Sequence, residues 1–110
     1  MKTELKEIIE EIKRFRDHRD WQQFHDGKNL AISLSVEASE LLEIFLWKND
    51  TEADTNKVKE ELADVLYNAF LLADLYGFDI KEIISEKLKA NETKYPIEKS
   101  KGSNKKYNEL

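Results

Sequence analysis

Leu34-Ser35-Val36-Glu37-Ala38-Ser39-Glu40-Leu41-Leu42-Glu43-Ile44-Phe45-Leu46-Trp47 is the stretch around which the other segments take their meaning. It reads as a helix with apolar residues on almost every side, the pattern of a buried helix. Glu37 and Glu40 stand three residues apart within it and so neighbour each other on one face. At about 100° per residue, Glu37 falls between Ile44 on one side and Leu30 and Leu41 on the other. Glu40 falls between Ile44 and Trp47. Carboxylates are almost never fully buried unless they are paired or bind a cation. Ionised groups are thus set against apolar surroundings, and something elsewhere in the chain must resolve that conflict.

The stretch belongs to a helix expected from Leu30 to about Lys48, with Asn29 as its N-cap after the turn signal Asp26-Gly27. Ser33, Ser35 and Ser39 are small and allow close packing, while Glu43 lies further round and fits a solvated position. Before this helix, His18–Asn29 is a polar connector. Its Trp21 and Phe24 either pin it to the bundle or line a pocket; this segment alone favours pinning. His18 and His25 are equally open, a lone His being more often a surface or hydrogen-bonding residue than a ligand. The first helix runs from Thr3 to about Asp17. Leu5, Ile8, Ile9, Ile12 and Phe15 recur there at three- and four-residue spacing as one apolar stripe. The Lys, Glu and Arg residues opposite read as a solvated face.

After the loop Asn49–Asn56, Asp54 or Thr55 caps a third helix, which runs to about Tyr76 and stops at Gly77. Glu61, Asp64 and Asn68 share one narrow stripe of it. Val65 and Leu72 flank that stripe on one side, Tyr67 and Leu71 on the other. Asp79 caps a fourth helix, Ile80 to about Lys94, ended by Tyr95-Pro96. Lys87, Asn91 and Lys94 fall inside its apolar arc, with Tyr95 near the edge. A lysine so placed either snorkels to water or meets an anion. Residues 97–110 read as a polar tail, ordered only if it docks on another subunit, and residues 1–96 as the domain.

The chain has 110 residues, 37% of them charged, with net charge −5, no Cys, one Pro and three Gly. An all-α domain of four to five helices is expected. So short a chain buries a modest fraction of its surface, so self-association would help it. The acidic balance argues against a nucleic-acid binder, which needs a basic face. It admits a small anionic substrate, because a bound cation reverses the local charge. Without cysteine there is no disulfide, no thiol chemistry and no thiolate metal site. No apolar run approaches the ~20 residues of a membrane span, and Met1–Lys6 lacks a signal-peptide core. A cytoplasmic protein without a membrane partner is the expectation.

Glu37 with Glu40 and Glu61 with Asp64 form two i,i+3 acidic pairs. Antiparallel packing of the second and third helices lets the pairs face each other. Four carboxylates at close range repel and raise one another's pKa, and a divalent cation removes the conflict. All-oxygen ligands suit Mg²⁺ or Mn²⁺ rather than zinc. A Mg²⁺ that keeps waters commonly partners substrate phosphates. It can polarise a phosphoryl oxygen, hold an attacking water and offset leaving-group charge. The bland alternative is real: with 23 acids in 110 residues, such pairs arise by chance, and either one alone reads as surface charge. Two pairs in apolar surroundings, with Lys87 and Asn91 on a third apolar surface, favour a polyphosphate site.

Arg19-Asp20-Trp21-Gln22-Gln23-Phe24-His25, Lys28-Asn29-Leu30 and the stretch from Val36 to Lys48 are followed by Glu60-Glu61-Leu62-Ala63-Asp64-Val65-Leu66, by Asn91-Glu92-Thr93-Lys94-Tyr95-Pro96 and by Lys106-Tyr107-Asn108-Glu109-Leu110. In this order the segments resemble the MazG-like all-α nucleoside triphosphate pyrophosphatases, most closely the dCTP pyrophosphatase branch. An ExxE pair alone is weak; ExxE then ExxD, with RDWxQFH before and NxxKYP after, is specific. The resemblance implies hydrolysis of a (deoxy)nucleoside triphosphate, dCTP-like or modified, to the monophosphate and pyrophosphate, in nucleotide-pool cleaning. It implies that Glu37, Glu40, Glu61 and Asp64 bind Mg²⁺, with Mn²⁺ as the alternative, and form the catalytic set. One of the first pair then orients or deprotonates the attacking water. It implies phosphate contacts from Lys87 and Asn91, joined by Lys94 and Tyr95, and a base or sugar held by Trp21 and Trp47. With the match in view, the pocket reading of Trp21 gains over pinning. His25, Lys28 and Asn68 complete the implied substrate-binding set. Family members are dimers or dimers of dimers with sites built between subunits, so a homo-oligomeric four-helix-bundle architecture is expected.

The chain departs from the family pattern at Val36, where a second Glu often stands, at Asn68, often Tyr in this branch, and at Ile12, a His in some members. These positions lie near the expected base and sugar, so base preference is not carried over. Two rivals remain. A di-iron or di-manganese carboxylate bundle uses Glu-x-x-His pairs, and neither acidic pair here is followed by His. A non-catalytic helical module that binds nucleotide or a partner protein would share the fold and release no pyrophosphate. Within the family, a phosphoribosyl-ATP pyrophosphatase fits the tryptophan-bearing segments less well.

Overall fold

The computed structural model describes residues 2–110. Among these the regular elements are all helical: α1 Lys2–His18, a 3-10 turn Gln22–Phe24, α2 Gly27–Glu43, a 3-10 turn Asp50–Glu52, α3 Thr55–Leu75, α4 Ile80–Lys94, α5 Ile97–Ser100 and a last 3-10 turn Tyr107–Glu109. They fall into two compact units, Met1–Phe78 and Asp79–Leu110. None of the helices is long and apolar enough to cross a membrane.

In the first unit, α1 and α2 both pack on α3. Leu30 of α2, Leu71 and Ala73 of α3 and Ile44 just beyond α2 are the buried apolar side chains, with Leu30 and Leu71 only 2% exposed. Arg16, expected on a solvated face of α1, is buried instead. The chain doubles back after α1: the Trp21 N–H donates to the Arg16 carbonyl at 3.1 Å. The Arg16 Nε donates to Asp17 at 2.8 Å.

The bounds of α2 correct the expectation at both ends. Its N-cap is Asp26, not Asn29: the Asp26 carboxylate accepts the Asn29 N–H at 2.7 Å, and the helix begins at Gly27. At the other end the helix stops at Glu43, short of Lys48. There the bonding tightens to three-residue spacing, with Phe45 N–H donating to Leu42, Leu46 to Glu43 and Lys48 to Phe45. Trp47 takes a left-handed φ of 64°, unusual for a residue with a bulky side chain. Nor is the apolar surface of α2 covered on every side. Leu30 is its buried residue and Leu42 remains 61% exposed, because α3 covers one face only.

The remaining caps follow the sequence. Asp54 accepts the N–H groups of Asn56 and Lys57 at the start of α3, and Gly77 supplies the left-handed φ of 68° after its end. In the second unit Asp79 accepts the Glu82 N–H at 2.9 Å and starts α4. The segment beyond Pro96 meets the end of α4 within the same unit. Tyr107 meets Tyr95 edge-on at 6.2 Å, and Lys94 Nζ lies 5.0 Å from the Tyr107 ring centroid.

Candidate active site

The packing of α2 on α3 brings Glu37 to Glu61 and Asp64. One carboxylate oxygen from each lies within 4.8 Å of the other two. Glu37 and Glu61 are half-buried and Asp64 is exposed. The Oε2 atoms of Glu37 and Glu61 are buried with no hydrogen-bond partner. Ionised carboxylates only accept, so neither supplies the other with a donor. The conflict appears in their protonation. Burial first, then the close approach of the Glu40 and Glu61 carboxyl groups, then the charges of Glu40 and Asp64 push the Glu37 carboxyl up to about 7. Burial also raises Glu61, with the charges of Glu40 and Asp64 adding to it, while the nearby Glu37 carboxyl works the other way. A proton on Glu37 would be the donor that the pair otherwise lacks. Glu40 therefore stands beside Glu37 but outside the close trio. Leaving buried oxygens without a donor is costly. A hard cation bound through oxygen satisfies them, and an all-carboxylate donor set fits Mg²⁺ or Mn²⁺.

A cavity of about 550 Å³ adjoins the trio, since Asp64 lies on its lining. Ile8, Ile12 and Ala63 form its aliphatic walls, and Phe15, Trp21 and Tyr67 its aromatic ones. The rings brace one another edge-on, Phe15 to Trp21 at 5.8 Å and Phe15 to Tyr67 at 6.2 Å. Trp21 is thereby both a pin for the connector and a cavity wall. A second opening, of about 500 Å³, brings Glu40 and Glu43 together with Glu61, Lys48 and Lys57.

The other sequence-predicted residues of the first unit take separate places. Trp47 is 99% exposed and lies on neither lining. Asn68 is 8% exposed, and its amide donates to the Asp64 carbonyl at 3.0 Å, bracing the helical turn that carries Asp64. His25 lines a different cavity with Trp21, Phe24 and Asn29. Its Nδ1 is buried without a partner, and burial followed by the Arg16 charge holds the imidazole below its usual pKa. Lys28 is exposed. In the second unit Lys87 and Lys94 are exposed, and Asn91 and Tyr95 are half-buried. Sequence reasoning missed Glu11, Phe15 and Tyr67 as cavity residues. The signal was present: the α1 stripe Ile8, Ile12, Phe15 needs a partner face, and Tyr67 stands three residues after Asp64.

Known proteins resemble this chain in sequence and in fold. The model of the MazG-like family matches residues 32–110. A Mus musculus protein named dCTP pyrophosphatase 1 is 37% identical over 114 residues, covering 93% of this chain and 67% of the relative. Its Homo sapiens counterpart, of the same name, is 35% identical over 93% of this chain and 67% of the relative. A crystal structure of a pyrophosphatase from Archaeoglobus fulgidus superposes with a TM-score of 0.80 at 38% identity, over 84% of this chain and 93% of that one.

Proposed function

This chain belongs to the MazG-like family, and we propose that it hydrolyses a (deoxy)nucleoside triphosphate to the monophosphate and pyrophosphate. The observation that carries the reading is the acidic trio, with two donorless buried oxygens, beside an aromatic-walled cavity. Glu37, Glu61 and Asp64, with Glu40 beside them, would hold Mg²⁺ or Mn²⁺. When bound, the ion supplies Lewis acidity toward a phosphoryl oxygen and offsets developing charge. One of Glu37 and Glu40 orients the attacking water and takes its proton. Glu40, exposed and outside the trio, has lone pairs free for this.

Trp21, with Phe15, offers flat apolar surface to a nucleobase. The phosphate contacts are assigned to Lys87 and Asn91 of α4, joined by Lys94 and Tyr95. Trp47, bared in the single chain, is assigned to the base or sugar in a homo-oligomer, a dimer or tetramer, in which a second copy covers it. Exposed Val36 and Leu42 on the same helix support that assembly. The relatives' name points to dCTP as substrate; a modified deoxynucleotide as the alternative and a role in cleaning the cytoplasmic nucleotide pool belong to the same proposal. The net charge of −5 suits neither a nucleic-acid partner nor an anionic membrane surface.

Incubating the pure protein with a panel of nucleoside and deoxynucleoside triphosphates and Mg²⁺, and measuring pyrophosphate and monophosphate, tests the proposal. Release of both in equal amounts is expected. No turnover of any triphosphate at high enzyme concentration would leave the non-catalytic binding module as the better account.

A further inference from the structure

The cavity beside the acidic trio offers a base little to bond with. Ile8, Ile12, Phe15 and Ala63 carry no polar side-chain atom. The Tyr67 hydroxyl is itself buried without a partner. Trp21 has an indole N–H that only donates. Beyond Asp64, the one carboxylate acceptor among the lining side chains is Glu11, and the Tyr67 hydroxyl, which can accept or donate, does not select for an N–H. Glu11 is exposed and makes no hydrogen bond or ion pair among the described residues. Its neighbour Ile12 cannot hydrogen-bond through its side chain, so α1 has no other means of reading a base from this face.

We infer that Glu11 is a specificity-determining residue. It accepts an N–H from the exocyclic amino group of cytosine or adenine and disfavours a base with a carbonyl at that position, such as uracil or hypoxanthine. An ionised carboxylate cannot donate, so a carbonyl there meets it lone pair to lone pair. A site with an acceptor discriminates strongly against an analogue that lacks the donor, because the acceptor is left unpaired. The inference rests on the proposal that this cavity holds the nucleoside.

Substrate pairs that differ in that one group test it: dCTP against dUTP, and dATP against dITP, in the wild type, Glu11→Gln and Glu11→Ala. The wild type is expected to favour the amino-bearing member in kcat/KM by ~10-fold or more. In Glu11→Gln, whose amide rotates to donate or accept, and in Glu11→Ala the ratio falls to within ~3-fold. Binding of deoxycytidine and deoxyuridine without metal, read by tryptophan fluorescence, follows the same order. No preference in the wild type, or a ratio unchanged in Glu11→Gln, overturns the role of Glu11 even if pyrophosphate is released. If no triphosphate is cleaved, the pyrophosphatase reading falls and the nucleoside arm decides alone. A deoxycytidine preference lost in Glu11→Gln then keeps Glu11 as the base reader, and equal or absent binding overturns it.

Discussion

Glu37 of α2 and Glu61 of α3 each bury one carboxylate oxygen, Oε2, that meets no hydrogen-bond donor. Ligand atoms of the two stand within 4.8 Å of each other and of one from Asp64. Buried acceptors face one another across a helix interface, an arrangement that costs stability unless a proton or a cation sits between them. Without a cation a proton meets that need, in keeping with a Glu37 carboxyl pushed up to about 7.

Metal-free stability is therefore expected to fall as the pH rises. Glu37 titrates at about 7 when folded against 4.5 in its unperturbed state. Between those values the folded chain binds more protons than the unfolded chain, so each increment of pH favours unfolding. Glu61 shifts in the same direction. His25, lowered from 6.5, opposes this below that pH, so Glu37→Gln serves as the control. Thermal unfolding in chelator should give a Tm at pH 8 roughly 5 °C below that at pH 5, with much of the slope lost in Glu37→Gln. Mg²⁺ should raise Tm more at pH 8 than at pH 5, because its ligands must be ionised. A flat profile that Mg²⁺ does not move would contradict the assignment.

Glu40→Gln, Glu61→Gln and Asp64→Asn should each lower pyrophosphate release by at least ~10²-fold while leaving the helical circular dichroism intact. Glu61→Gln removes charge from a buried oxygen, so its metal-free Tm at pH 8 should equal or exceed that of the wild type, and the Tm gain on adding Mg²⁺ should vanish. Near-normal turnover in Asp64→Asn would remove that residue from the metal set.

Trp47 and Leu42 should be covered by a second copy of the chain in solution. Light scattering is expected to return a multiple of the 13.0 kDa chain mass, and Leu42→Glu to shift the population toward the single chain by placing a charge in an apolar contact. A mass of one chain at every concentration would argue against a shared interface.

The core and the α2 cap should separate in denaturant titrations. Leu71→Ala, at a position 2% exposed, should cost ~2–5 kcal/mol. Asp26→Ala, which removes the acceptor for the Asn29 N–H, should cost ~1 kcal/mol. A larger loss for the cap than for the core would show that α2 is held mainly by its N-terminus.

The helices themselves were legible because their determinants are local. Asp54 and Asp79 cap backbone N–H groups two or three residues ahead, and a cap of that reach can be read without the fold. The acidic residues were legible for the same reason, since i,i+3 spacing puts two carboxylates on one face whatever packs against it. The ends of α2 were not. Asn29 has the composition of a cap, but Asp26 competes for its N–H and accepts from its side chain as well. No residue type announces a left-handed tryptophan at position 47.

An all-α chain, most of its helix bounds and two acidic pairs set in apolar surroundings follow from residue order, because propensity, capping and periodicity act over a few residues. The grouping of Glu37, Glu61 and Asp64 into a close trio, with Glu40 beside it, comes from helix packing. That packing also set Asp64 at the mouth of a cavity walled by Phe15, Trp21 and Tyr67, and left Trp47 bare. These outcomes depend on how α1 and α2 seat against α3, and that is fixed by side chains far apart in the chain meeting in one core, which no local spacing encodes.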